Sequence, residues 1–180
     1  MKEIDPSKAH RLFYPDVPAV LCASNRGRVS AMPVTSCVAL SEVPPLVGIS
    51  CDPRAFTFLL VVGSRRFSLC FLDRAYVSKM GFLATHSGRS GPDKLADAGL
   101  GHDRGIKLDV PVIRDSAAVL ECSLTTRRRF GDHVLVVGKI ESARAADDFH
   151  EYWRYDAYRP ILYTGWQGGM TTYGPPTREP

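Results

Sequence analysis

Short runs in which apolar and polar residues alternate dominate this chain, and most of the runs end at Gly, Pro, Asp or Ser. Such runs are typical of β-strands, because successive side chains of a strand point to opposite faces of a sheet. A turn signal at 25–28 predicts one hairpin, and an Arg-rich turn at 127–129 predicts a second, longer one. The predicted strands cover residues 17–24, 29–40, 46–51, 67–72, 117–125, 132–142 and 161–164.

Helical features are confined to a few short segments. Residues 55–62 are apolar on all sides and are compatible with a strand or a helix. We favour the helix, because Asp52-Pro53-Arg54 supplies a cap and a first-turn proline. Apolar residues at helical spacing predict a second helix at 76–85. The remaining predictions are a Gly-rich loop at 86–105 with one short helix at 92–98, a brief helix at 147–152, and an irregular tail from Trp166.

Six or more strands, few helices and hairpin connections predict a mainly β, α+β fold built on an antiparallel sheet. A sandwich and a closed barrel would both remove exposed sheet edges, and strand spacing alone does not separate the two. We favour the barrel. A chain of 180 residues fits one domain, with a core at about 12–165 and a C-terminal tail at 166–180.

The charge balance gives little indication of a nucleic-acid partner. The chain has 23 Lys and Arg against 19 Asp and Glu, a formal charge of +4. Three arginines at 127–129 could contact phosphates, but a charge run of this length is usually a solvated turn. No nucleic-acid-binding motif accompanies them, so we predict no such partner.

Membrane and disulfide-rich proteins are also disfavoured. No apolar stretch approaches the roughly 18–20 residues that cross a bilayer, and the first residues lack the apolar core of a signal peptide. We therefore predict a cytoplasmic protein without a membrane partner. The five cysteines include no CxxC pair and no zinc-type spacing, which predicts reduced thiols and no metal site.

Two segments carry candidate chemistry. Residues 35–41 place hydroxyls and a thiol at the end of an apolar run, and residues 50–57 combine two hydroxyls, an arginine and a predicted helix start. Backbone N–H groups at a helix start, a guanidinium and hydroxyls can form a phosphate cradle. A capped helix with a solvent-facing Arg54 would explain the same residues. The pattern alone leaves both interpretations open.

The order of these residues resembles the flavin reductase-like family, the FMN-binding split barrels that include flavoredoxins and reductase components of monooxygenases. The resemblance rests on Thr35-Ser36-Cys37-Val38-Ala39-Leu40-Ser41, on Pro44-Pro45-Leu46-Val47-Gly48-Ile49-Ser50, and on the hairpin Gly131-Asp132-His133. It covers about residues 12–165. It implies a six-stranded antiparallel split barrel with short flanking helices, FMN as cofactor and a homodimer.

The resemblance also implies roles for individual residues. Those that would line the flavin ring and its ribityl chain are Thr35, Ser36, Cys37, Val38, Ala39, Ser50, Cys51 and Asp52. Arg54 and Thr57 would hold the phosphate. Ser78 and Lys79 stand where the family places a polar or basic residue near the phosphate or ring, although an ordinary exposed helix fits as well. His133 would contact the nicotinamide or the flavin, or be a plain turn residue.

The implied activity is that of an NAD(P)H-dependent flavin reductase, which passes a hydride from nicotinamide to N5 of FMN. The alternatives are an FMN-binding electron-transfer protein of the flavoredoxin type, or a split barrel that uses another flavin or a deazaflavin. A monooxygenase or another redox protein would be the partner. Tyr and Trp residues at 152–155 and 163–173 are candidates to cover the flavin or the dimer interface, with Trp166 and Tyr173 among them.

Overall fold

The computed structural model describes residues 1–154, 158–165 and 170–172, and of residues 171–172 only the backbone. A 3-10 helix at Pro6–Phe13 precedes the first strand, and another at Arg74–Tyr76 precedes the second α-helix. The strands are β1 Ala19–Asn25, β2 Arg28–Val34, β3 Cys37–Ser41, β4 Leu46–Cys51, β5 Arg66–Phe71, β6 His102–Arg104, β7 Pro111–Ile113, β8 Ala118–Phe130, β9 His133–Ala145, β10 Ile161–Tyr163 and β11 Met170–Thr172. The α-helices are α1 Phe56–Ser64, α2 Val77–Thr85 and α3 Lys94–Asp97.

Seven strands form one antiparallel sheet in the order β2-β1-β5-β8-β9-β4-β3. The sheet is curled, because one buried cluster contains residues from strands next to both of its edges. Leu21 of β1 and Ile49 of β4 lie in this cluster together with Phe67 of β5, and α1 adds Phe58 and Val61. The curled antiparallel sheet confirms the predicted barrel architecture.

A second buried cluster lies on the outer side of β1 and β5. Val20 and Cys70 of these strands pack there against Met80 of α2, Leu95 of α3 and Ile113 of β7. Strand β1 is therefore buried on both faces, which explains why it is a continuous apolar run rather than an alternating one.

The predicted strand at 29–40 is wrong in one respect, because it is two strands with a break at Thr35-Ser36. β2 and β3 lie at opposite ends of the strand order, so this break is where the chain passes from one edge of the sheet to the other. The large sheet consequently has seven strands instead of the predicted six. No local pattern marks such a crossing, because it depends on which distant strands pair.

The β8–β9 hairpin also corrects the sequence analysis. Arg127 to Arg129 lie on β8 and are exposed, and the turn falls at Gly131-Asp132, where Gly131 has a φ of +58°. A left-handed conformation of this kind favours glycine. The arginines pair with Val134 to Val136 of β9, so the charge run belongs to a strand and not to a turn.

Smaller differences lie elsewhere. Residues 147–152 form turns and bends, and the predicted helix there is absent. The loop at 86–105 contains α3 as expected, but β6 pairs with β7 in a short hairpin that the Gly-rich pattern did not indicate. β11 pairs with β10, so this part of the tail is not irregular. Tyr155, Trp166 and Tyr173 lie outside the described residues. Within the described part, no helix has the length and apolar character needed to span a membrane.

Candidate functional site

A cavity of about 420 Å³ opens beside the break between β2 and β3, and we call it the β3 cavity. Its volume lies in the usual range of small-ligand sites. The Ser36 hydroxyl donates a hydrogen bond of 2.9 Å to the Ser50 carbonyl, which fixes the break against the end of β4. The 3-10 helix at Pro6–Phe13 and the residues after it cover one side. The lining residues are His10, Phe13, Tyr14, Asp16, Thr35, Ser36, Cys37, Val38, Ser50 and Leu135.

A second cavity of about 330 Å³ adjoins the first, and we call it the α2 cavity. The two share Tyr14 and Thr35 in their walls. The Tyr14 ring meets Tyr163 edge-on, with 4.8 Å between the ring centroids, so the start of the chain is packed on β10. The remaining lining residues of the α2 cavity are Met32, Pro33, Leu83, Ala84, Tyr163 and Met170.

Basic side chains gather at the start of α1. The guanidinium carbons of Arg28 and Arg89 lie 4.9 and 5.4 Å from the ring centroid of Phe56, the first residue of that helix. Arg28 donates hydrogen bonds to the carbonyls of Gly88, Arg89 and Gly91 at 2.9–3.2 Å, while Arg89 donates to the Arg54 carbonyl at 2.9 Å. We call Arg28, Arg54 and Arg89 the arginine cluster.

The loop that carries Arg89 lies very close to β2. A Cβ on Gly88 would collide with the Ser30 hydroxyl and would lie 3.0 Å from the Phe56 ring. Ser30 in turn shares a hydrogen bond of 2.9 Å with Thr57, and both of these side chains are buried. Only glycine permits this approach of the loop. The Thr57 hydroxyl therefore faces Ser30 and is not exposed to solvent.

Arg54 and Asp52 form a pair at the end of β4. The guanidinium of Arg54 makes contacts of 2.8–3.1 Å with both carboxylate oxygens of Asp52, and the Arg54 side chain is 88% exposed. Hydrogen bonds from Arg54 lower the pKa of Asp52 to about 2. An anion that binds Arg54 would have to compete with this carboxylate.

The structure brings five predicted residues together in the β3 cavity: Thr35, Ser36, Cys37, Val38 and Ser50. Burial raises the pKa of Cys37 to about 12, so this thiol stays protonated near neutral pH and is a poor nucleophile. Arg28 and Arg89 were missed by the sequence analysis. The signal that could have found Arg89 is its place in the Gly-rich loop at 86–105.

Other predicted residues lie outside the two cavities. The Cys51 side chain is buried in the core and Ala39 is exposed on β3, so these two can offer a ligand only backbone or edge contacts. Lys79 donates a hydrogen bond of 2.6 Å to the Gly99 carbonyl, and Ser78 is exposed on the same turn of α2. His133 starts β9 and shares a hydrogen bond of 2.9 Å with Asp132.

The model of the flavin reductase like domain matches residues 11–164. The chain belongs to this family. The match covers the arginine cluster, the β8–β9 hairpin and all wall residues of the two cavities except His10 and Met170, and it confirms the resemblance seen in the sequence.

Two relatives of this chain differ in how far they extend. A protein of Aeropyrum pernix is 33% identical over 166 residues, which are 92% of this chain and 63% of that protein. This chain thus spans less than two thirds of that relative. The reductase component of 4-hydroxyphenylacetate 3-monooxygenase from Thermus thermophilus is 26% identical over 118 residues, 65% of this chain and 68% of that protein.

Solved structures of flavin-related proteins share the fold over nearly the whole chain. The FMN-binding protein of Thermus thermophilus, solved with bound 1-cyclohex-2-enone, is 29% identical with a TM-score of 0.81. The match covers 100% of this chain and 98% of that one. The NADH:FAD oxidoreductase SgcE6 of Streptomyces globisporus, in complex with NAD and FAD fragments, is 21% identical with a TM-score of 0.79, covering 98% of this chain and 99% of that one.

Proposed function

We propose that the protein binds FMN and passes a hydride from NAD(P)H to it, as a flavin oxidoreductase. The proposal rests on one observation: the end of β4 connects a cavity of the size of a ring system to the arginine cluster. Ser50 lines the cavity, and Arg54 follows four residues later in the cluster. A flat ring with a phosphate on a short chain matches this arrangement in size and charge.

The β3 cavity would hold the ring. Val38 and Leu135 offer apolar contacts, and the Thr35 and Ser36 hydroxyls and nearby backbone groups offer hydrogen bonds to the polar edge. When bound, FMN supplies the ring atom that accepts the hydride, so the protein needs no acid-base pair of its own. The Cys37 thiol, which is protonated near neutral pH, would contact the ring without taking part in the reaction.

The arginine cluster would hold the phosphate. The Nε atom of Arg28 is buried and has no hydrogen-bond partner among the described residues, so this guanidinium keeps one donor that no described group satisfies. The cap residue of α1, Ala55, has no side chain that bonds the first N–H groups of the helix. These N–H groups and the positive end of the helix dipole favour an anion. Arg54 would join after its carboxylate partner is displaced.

The test is the colour of the purified protein and its response to nicotinamide under anaerobic conditions. We expect bound FMN near one per chain, bleached by NADH or NADPH. A variant with Arg28→Gln should bind FMN more weakly, and a variant with Lys79→Gln should bind it as the wild type does, because the Lys79 ammonium already binds the Gly99 carbonyl. A colourless protein that does not take up added FMN would contradict the proposal.

An FMN-binding electron carrier is the second candidate. The 29% identity to the FMN-binding protein of Thermus thermophilus over the full chain supports FMN binding, which the carrier and the reductase share. A yellow protein that neither nicotinamide bleaches would support the carrier. A protein that turns over NAD(P)H with added flavin would support the reductase, with a monooxygenase or another redox protein in the cytoplasm as the consumer of reduced flavin.

We further propose a homodimer with the flavin beside the interface. Val38 and Leu40 on the edge strand β3, and Val43 after it, are 52%, 45% and 92% exposed. An exposed apolar edge strand is a hazard that a second copy, related by a two-fold axis, would remove. Light scattering of the FMN-bound form should give about twice the 19.8 kDa of one chain. The mass of a single chain would contradict the dimer.

A further inference from the structure

We propose that Arg128, together with the exposed ring of Phe130, binds a phosphate of the nicotinamide dinucleotide and so sets its affinity. This rests on the proposed function, since it assigns the binding of the hydride donor to one face of the β8–β9 hairpin. The family match and the two cavities do not themselves identify these residues.

The strand register places both residues beside the β3 cavity. Arg128 lies directly across from Leu135, a wall residue of that cavity, and Phe130 lies across from His133. Side chains directly opposite each other in an antiparallel pair lie on one face, with Cβ atoms about 5 Å apart. The face that presents Leu135 to the cavity therefore also presents Arg128, and Phe130 and His133 lie at its tip.

The charge of Arg128 is uncompensated in the described part of the chain. Its guanidinium carbon lies 5.4 Å from the centroid of the Phe130 ring, and no described carboxylate pairs with it. Arg54, by contrast, has a carboxylate against its fork, and so has Arg114. At the tip of the hairpin, the Asp132 carboxylate shares a hydrogen bond with His133.

An arginine fork of this kind matches the chemistry of a phosphate, which it can bind through two charge-assisted hydrogen bonds. Phe130 is 56% exposed and offers a flat apolar surface on which a base can stack. A nicotinamide that enters the β3 cavity leaves the rest of its dinucleotide outside the cavity. Arg128 lies on the strand next to Leu135, at the edge of the cavity. The phosphates nearest to the nicotinamide would lie at this edge.

The site is separate from the proposed FMN phosphate site. Arg28 and Arg89 of the arginine cluster lie over Phe56 at the start of α1, whereas Arg128 lies on the hairpin. Cofactor and hydride donor would thus be held by different cations. A substitution of Arg128 should change the affinity for the dinucleotide without loss of FMN.

Arg127 provides a matched control. It is adjacent in sequence, equally charged and exposed, but it lies opposite Val136 and lines a small polar cavity with Val62 and Arg65 on the other face of β8. Arg127→Gln and Arg128→Gln change the net charge by the same amount. Any difference between them reports the position of the charge and not the total charge.

The experiment is anaerobic rapid mixing of the FMN-loaded protein with NADH or NADPH. For Arg128→Gln we expect the dissociation constant of the dinucleotide to rise about tenfold, with the limiting rate of flavin reduction unchanged. Arg127→Gln should match the wild type. If the dissociation constants of both dinucleotides rise, Arg128 binds the pyrophosphate that they share. If only the dissociation constant of NADPH rises, Arg128 binds the additional phosphate of NADPH.

Two outcomes would overturn the inference: an unchanged dissociation constant in Arg128→Gln for both dinucleotides, or an equal rise in Arg127→Gln. If neither dinucleotide reduces the wild type, the proposed reductase function fails. Calorimetric titration of FMN-loaded wild type and Arg128→Gln with NAD⁺ and NADP⁺ then tests dinucleotide binding alone. Equal affinities of the two proteins would overturn the inference about Arg128. Thermal melts of both variants establish that they are folded.

Discussion

Lys94 carries a buried positive charge whose energetic cost should be visible in the pH dependence of stability. The residue is only 5% exposed, and its ammonium donates hydrogen bonds of 2.7 Å to the carbonyls of Ala31 and Leu83. It therefore links β2 to α2, which are two of the elements that line the α2 cavity. Burial lowers the pKa of Lys94 to about 8, an effect that the nearby Cys22 thiol partly opposes.

The magnitude follows from the difference between the folded and unfolded pKa values. Lowering the pKa from an ordinary 10.5 to about 8 corresponds to about 3 kcal/mol. The sign is that of a destabilising charge, because the unfolded chain binds the proton more tightly. The cost is fully present below pH 8 and is relieved as the pH rises from 8 to 10.5.

The assay is urea unfolding of the wild type and of Lys94→Met at pH 7 and pH 10. Burial also raises the pKa of Tyr158 to about 12, so other groups contribute to the pH dependence. The free energies of unfolding of the two proteins are therefore compared with each other at each pH. We expect the wild type to gain about 2–3 kcal/mol relative to Lys94→Met between these pH values. If the two stability curves run parallel, the ammonium is not held as the structure implies.

Three further predictions concern the site and its supports. Arg28→Gln and Arg89→Gln should each weaken FMN binding about tenfold in a fluorescence titration, because a charge-assisted contact is lost; equal weakening by Lys79→Gln would show that the phosphate site is misplaced. Gly88→Ala should lower the free energy of unfolding by about 1–3 kcal/mol in urea, since its Cβ has no room, and an unchanged midpoint would contradict this. Burial alone would raise the pKa of Glu121, but N–H groups of residues 106–108 and Arg144 lower it overall from the ordinary 4.5. Glu121→Gln should therefore have a lower free energy of unfolding than the wild type at pH 7, and this difference should shrink as the pH falls below 4.5. A difference that does not depend on pH would refute the role of Glu121.

The parts of the fold that could be predicted are those written in local patterns. Local patterns predicted β4, β5 and both hairpins, and α1 was predicted within two residues at each end. The predicted cap was wrong, because the cap residue of α1 is Ala55 and Asp52 instead accepts a hydrogen bond from the Arg54 N–H. The segment at 35–38 lines one cavity together with Ser50, as the sequence predicted. These residues are neighbours because β3, which begins in this segment, pairs with β4, which carries Ser50.

What escaped prediction depends on contacts between distant parts of the chain. The run at 29–40 keeps a strand-like pattern across Thr35-Ser36, so nothing local shows that the chain leaves one sheet edge there and joins the other. The arginine cluster joins Arg28 to a loop 60 residues later, through carbonyls that any sequence possesses. Arg127 to Arg129 looked like a turn because an exposed strand end has no buried face to impose alternation.

The pairing of β4 with β9 connects the two anion sites that the proposals require. Ser50 lies opposite Leu135 and Cys51 opposite Val134, so the strand that leads to Arg54 runs beside the strand that begins at the hairpin tip. One end of β4 thus borders the arginine cluster, the β3 cavity and the face that carries Arg128. A ring bound in that cavity would have one cationic group on each side, each on a different element. Separate cations allow a cofactor to stay bound while a dinucleotide enters and leaves, which a single shared phosphate site would prevent.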